Sequence, residues 1–283
     1  MPLLTQSDPG TENNGIANAQ TLLRHRHDPS LSDSLQHKFK GNKGNIKPEI
    51  AWRLLRQTFT PGFEDLLELG VSEGWYDPDN TLERLVFHYT FIPWLQRELD
   101  GYVALTNDSK PRYNRHKVLP HGRPIEIFRH PDKYGTKDFS VKVLKAHLDE
   151  VRSKYAPPGH PVFHLVPPAF EEKARQFYGA IGPPEINRNN VWQVYQTLLE
   201  HFRSIQGQDD IRSGIADRAA MPTVGDDPMG EEYMEVLPLK PFRVGNRLIA
   251  DLEDLNSESS EEEHDPNIWT DPDTSSGSSM VDK

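Results

Sequence analysis

The run from Asp79 to Leu105, DNTLERLVFHYTFIPWLQRELDGYVAL, constrains the fold more than any other part of this chain. Leu82, Leu85, Val86, Tyr89, Ile92, Leu95, Leu99 and Val103 recur at the i, i+3, i+4, i+7 spacing of a helix with one face on a core. Asp79 or Asn80 offers a side-chain acceptor to the first turn. Pro93 removes one backbone donor from the middle of the run and predicts a kink. A helix of this length cannot be buried alone, so other segments must supply apolar stripes to cover it.

Several do. Helical patterning begins near Pro48, a residue that suits a first helical turn. Ile50, Leu54 and Leu55 then share a face, with Trp52 set off from it. TPGFEDLLELGVSEG predicts a turn and a short helix with Phe63, Leu66, Leu67 and Val71 on one side. Further helices are expected at VKVLKAHLDEVRSKY, PPAFEEKARQFYGAI and NNVWQVYQTLLEHFRSI. The last carries Val191, Trp192, Tyr195, Leu198, Leu199 and Phe202 in one stripe, which is either core or a surface for a partner protein. IEIF, at 125–128, reads as a short strand or a turn of helix. The fold class expected is mostly α.

The two ends read differently. Residues 1–40 are rich in Asn, Ser, Asp, Gln and Gly without a sustained period, and disorder is expected there. After Gly207 the patterning fades, and 207–283 reads as a largely disordered, Ser-rich acidic tail. Hydrophobic residues make up 35% of the chain and there are 24 prolines, which fits unstructured ends. SESSEEE places Ser257, Ser259 and Ser260 beside acids, where phosphorylation would add negative charge.

Composition also excludes function classes. With no cysteine, disulfides, zinc-thiolate sites and thiol nucleophiles are ruled out. The histidine pairs His116/His121 and His160/His164 make a poor metal site without thiolates, so no metal ligands are assigned. The GNK and GTK triplets are not phosphate-cradling loops. No apolar run approaches the ~20 residues that cross a bilayer, and the N-terminus lacks the pattern of a signal peptide. An intracellular location, nuclear or cytoplasmic, is the expectation, with no membrane partner.

The net charge of −11 conceals an uneven distribution. Asp251–Lys283 carries −10, while Lys110–Lys154 carries +7 and Arg24–Arg56 carries +5. Lys110, Arg112, Arg115, Lys117, Arg123 and Arg129 form a polar, proline-punctuated basic run in which Tyr113 is interleaved. Cations track a phosphate backbone and an aromatic ring stacks on a base, so this run is the candidate nucleic-acid contact. A solvated basic loop is the plain alternative.

Taken in order, NIKPEIAWRLLRQTFTPGFEDLLELG, LERLVFHYTFIPWLQRELDGYV and SKPRYNRHKVLPHGRPIEIF resemble the C-terminal part of the integrase core-domain proteins. These are transposon-derived, DDE-type integrases of fungi and other eukaryotes. In that family an Asn-Ile-Arg-Ile-Glu-Arg-Leu-Trp-like segment carries the last carboxylate of the catalytic triad, followed by a His-Tyr-x-Phe-[Ile/Leu]-Pro segment and a basic region. The matching positions are Asn45, Ile46, Glu49 and Trp52, then His88, Tyr89, Phe91, Ile92 and Pro93. YAPPGHPVFHLVPPAFEEKARQFYGAIGPPEINRNNVWQVY resembles an extension that fungal members carry after the core. The likeness spans about 41–205. It implies a helical remnant of an α/β ribonuclease-H-like core at 41–135, with its basic loop, and a helical extension at 136–206.

The resemblance also marks what the chain lacks. DDE-type chemistry uses two divalent ions about 4 Å apart, Mg2+ or Mn2+ in an intact member, held by about three carboxylates. In the family the first two aspartates lie on strands before the glutamate helix, whereas only 48 residues precede Glu49 here. Asp8, Asp28 and Asp33 are the candidates for those aspartates, in polar, turn-like sequence with no strand pattern. Proline at 48 and alanine at 51 replace the larger residues usual in the family. Glu49 is therefore the one candidate catalytic residue and is expected to be vestigial; as a first-turn acid it gains about 0.3–1 kcal/mol from the helix dipole. The expectation is an integrase-derived protein, catalytically incomplete, with no cofactor as it stands and weak, sequence-nonspecific nucleic-acid contact. A protein-interaction module working through its helices, or a piece of an active integrase, are the alternatives.

Overall fold

The computed structural model describes residues 1–41, 46–113, 115, 120–182, 184–204, 235–244 and 247–248. Eight α-helices are described: α1 (Asn14–His27), α2 (Ile46–Thr58), α3 (Pro61–Ser72), α4 (Thr81–Asp108), α5 (Pro124–Arg129), α6 (Lys145–Tyr155), α7 (Pro168–Ala180) and α8 (Val191–Ser204). The strands are short: β1 (Thr5–Ser7), β2 (Ser34–Leu35), β3 (His37–Phe39), β4 (Lys240–Pro241), β5 (Arg243–Val244) and β6 (Arg247–Leu248). β1 pairs with β3 and β2 with β4, both parallel, and β5 pairs antiparallel with β6. The fold is mostly α-helical with two small parallel two-stranded sheets. The chain divides into two units, Met1–Asp100 with Val141–Phe242, and Gly101–Ser140 with Arg243–Lys283.

The core of the first unit is built by α4, α7 and α8. Leu85, Val86, Phe91 and Trp94 of α4 join Val166, Phe170 and Ala174 and the whole stripe of α8. Val191, Trp192, Val194, Tyr195, Leu198, Leu199 and Phe202 are all buried, so that stripe is core and not a free docking face. Aromatic rings dominate the contacts. Phe91 lies 4.5 Å from Trp192 between ring centroids, and Phe170 stacks on Phe202 at 4.5 Å. Trp192 also donates its Nε1–H to Leu66 O at 2.8 Å, which ties α8 to α3. Close approach there depends on Gly70, since a Cβ at that position would fall 1.9 Å from the Trp192 ring.

α4 begins as its sequence suggests, with Asn80 Oδ1 accepting from Glu83 N–H at 3.2 Å. It continues through Pro93 to Asp108. Its buried face, however, is rotated from the expected stripe. Thr90, Phe91 and Trp94 are buried, while Ile92 and Val103 are exposed and Leu95 and Leu99 are only half-buried. Two apolar faces compete on this helix, and the one bearing the large rings lies against the aromatic stripe of α8. In α3, Phe63, Leu66 and Leu67 face the core as expected, but Val71 is exposed. IEIF is helical, within α5.

Residues 1–40 are not featureless. α1 forms there, flanked by the paired strands, although its buried face is largely polar: Ala17, Asn18, Gln20, Thr21 and Arg24. Hydrogen bonds replace apolar packing on that face. Thr21 Oγ1 accepts from Gln36 N–H at 3.0 Å, and Gln20 Nε2 donates to Pro2 O at 2.9 Å. Asn18 both donates to Glu235 O at 2.8 Å and accepts from Leu237 N–H at 3.0 Å. The N-terminal ammonium donates to Val141 O at 2.8 Å, and Arg26 pairs with Glu150 of α6 at 2.6 Å. Such a helix has no apolar period, which is why disorder was the expectation. The tail beyond 248 and the Ser257–Ser260 segment lie outside the described residues.

α4, from the segment read as integrase core, shares one hydrophobic cluster with α7 and α8, from the segment read as an extension. α7 and α8 are thus integral walls of the core.

Candidate nucleic-acid interface

Glu49 sits in the first turn of α2 and is exposed. Ile50, Leu54 and Leu55 are half-buried, whereas Glu49, Trp52, Arg53 and Arg56 lie on the exposed side, with Trp52 68% accessible. Asn45, the first residue of the motif, is outside the described residues. Among the described residues no group of three or more His, Asp or Glu side chains is disposed to hold a metal ion. Asp28 is occupied locally: its carboxylate accepts from the Ser30 hydroxyl and N–H, and those bonds hold its pKa below the ordinary value. Asp8 follows β1 and Asp33 precedes β2, and Asp33 lies 3.6 Å from Lys240 Nζ. A pair of divalent ions needs several carboxylates converging on one point, and the described residues here do not fit one. Of the other matched positions, Phe91 is in the core and Tyr89 is packed against it, while Ile92 and Pro93 are on the surface.

The basic run belongs to the second unit, whose described part begins in the last turns of α4. Between Gly101 and Ser140 the sequence holds eight Lys or Arg against four Asp or Glu. Lys110, Arg112, Arg115, Arg123 and Arg129 are all exposed, and Lys117 lies outside the described residues. Arg123 is 3.5 Å from Asp108, an exposed pair worth little in water. The backbone around these cations is fixed by short-range bonds. His121 Nε2 donates to Pro111 O at 2.9 Å, and Arg123 O accepts from the N–H groups of Glu126 and Ile127, starting α5 behind Pro124. Gly122 is buried against Tyr134, whose ring would lie 2.6 Å from a Cβ there.

Tyr113 is 68% exposed and meets His121 edge-on, with ring centroids 5.2 Å apart. Two further rings on this unit escaped the sequence reading. Phe128, in α5 beside Arg129, is 83% exposed, and Phe139, two residues after Lys137, is 64% exposed. A signal for Phe128 was present: once Pro124 starts a helix, a phenylalanine next to an arginine in so short an element has little to pack on. Read only as a short strand or a turn of helix, IEIF left open which side of the element Phe128 takes. Together these groups place cations and bare rings on the surface of one small unit, which can neutralise phosphates and offer faces for stacking.

No protein-family model matches this chain, and no curated protein and no solved structure matches it either.

Proposed function

We propose that this chain is an integrase-derived protein that performs no strand transfer by itself and contacts nucleic acid weakly, without sequence preference, through residues 110–129. The helical block about Glu49 and α4 is then the remnant of a ribonuclease-H-like core, completed by α7 and α8. The observation that carries the binding reading is the surface of Gly101–Ser140, where Lys110, Arg112, Arg115, Arg123 and Arg129 are all exposed on the same unit as the Tyr113 ring. An excess of Lys and Arg gives affinity through counterion release and carries no base readout, hence the lack of sequence preference. The exposed position of Glu49, outside any cluster of three or more acids or histidines among the described residues, supports the non-catalytic part.

Gel shift of a labelled oligonucleotide by the full chain at low salt tests the reading. Retardation is expected, and should fall when Lys110, Arg112 and Arg129 are replaced together by glutamine. A shift that survives this replacement would place the contact elsewhere. Strand transfer dependent on added Mg2+ or Mn2+ and abolished by Glu49→Gln would overturn the non-catalytic assignment.

A further inference from the structure

The exposed rings of the second unit define the form of nucleic acid it takes. We infer that the Gly101–Ser140 surface binds single-stranded nucleic acid in preference to duplex, with Tyr113, Phe128 and Phe139 as stacking faces; this rests on the nucleic-acid reading above. Each ring stands next to or near a cation in sequence: Arg112 beside Tyr113, Arg129 beside Phe128, and Lys137 close to Phe139. Phenylalanine has no polar tip to hydrate, yet Phe128 and Phe139 are 83% and 64% exposed. Tyr134 in the same unit shows the contrast, because its ring is packed on Gly122.

The strand preference follows from what each nucleic acid presents. A duplex keeps its base faces stacked inside and shows side chains only groove edges and phosphates. Reading those edges takes a helix or a β-ribbon seated in the major groove. α5, the one α-helix lying wholly in the described part of this unit, has six residues, less than two turns, and the unit's paired strands β5 and β6 have two residues each. An unpaired strand instead offers a π-face on every base, which a ring beside a cation can take while the cation holds the phosphate.

The test is fluorescence anisotropy of the full chain with one labelled DNA of about 20 nucleotides, free and annealed to its complement, at about 50 mM salt. The single strand should bind about tenfold more tightly. Phe128 is 83% exposed, so Phe128→Ala should leave the fold intact, which circular dichroism checks; it should weaken single-strand binding about five- to tenfold and leave duplex binding unchanged. Tyr113→Ala should act in the same direction. Equal affinity for both forms, or equal losses on both, overturns the strand preference and leaves the cationic contact standing. Absence of binding to either form overturns the nucleic-acid reading and this inference with it.

Discussion

Glu83 has a nearly buried side chain, 9% exposed, and its two oxygens are fully used. One accepts from Asp77 N–H at 2.7 Å, closing the turn that leads into α4, and the other from Arg203 at 2.7 Å, at the end of α8. Glu83→Gln keeps the shape but removes the charge that both donors face. Because Arg203 is half-exposed and can recover water, the loss should be about 1–3 kcal/mol, read as a lower midpoint of urea unfolding. Asn80, the residue three before Glu83, was legible in the sequence as a cap; the reach of Glu83 to Arg203 was not, since nothing local pairs positions that distant. Glu49 shows the reverse case. Its place in a first turn could be read directly, and its exposure follows from Ile50, Leu54 and Leu55 taking the inner face of α2.

At the scale of elements, α8 was the most readable because its stripe is apolar and its other side polar, so one face had to be buried. α4 carries apolar residues on two faces, and periodicity could not choose between them. The partner chose: Phe87 and Phe91 meet the Trp192 ring of α8, while Ile92, Leu95 and Leu99 line an open groove of about 270 Å³ with Phe59, Phe63 and Leu67. α1 was invisible because hydrogen bonds hold its polar inner face. Two predictions belong here. A fragment of residues 41–135 lacks α7 and α8 and so leaves the core face of α4 bare; it should lack the sigmoidal thermal transition of the full chain. A cooperative melt of that fragment would show that it folds without the extension. The second concerns β3. His37 is buried between Thr5 and Ser7, with its Nδ1 2.8 Å from Thr5 Oγ1, its Nε2 3.0 Å from Ser7 Oγ and its ring against Phe39. Burial lowers its pKa from 6.5. The unfolded chain therefore takes up that proton first, and the stabilisation from neutral His37 is present above pH 6.5 and lost below it. Melting temperature should drop on acidification through that range, and drop less in His37→Asn.

The whole molecule separates its charges along the sequence, with a basic segment at 110–154 and an acidic one at 251–283. Composition made that legible, and order and spacing suggested the integrase likeness of 41–205. Which rings accompany the cations was not legible, because exposure depends on what the neighbouring residues leave uncovered. Salt dependence of binding decides whether the exposed cations of the second unit hold phosphates. For a single strand each neutralised phosphate contributes about 0.7 to the fall of log K with log salt. Lys110, Arg112, Arg115, Arg123 and Arg129 together contribute up to about −3.5 to that slope. Replacing Lys110 and Arg129 by glutamine should make it shallower by about 1.4. A slope that the double replacement leaves unchanged, or no binding at about 50 mM salt, would contradict the account.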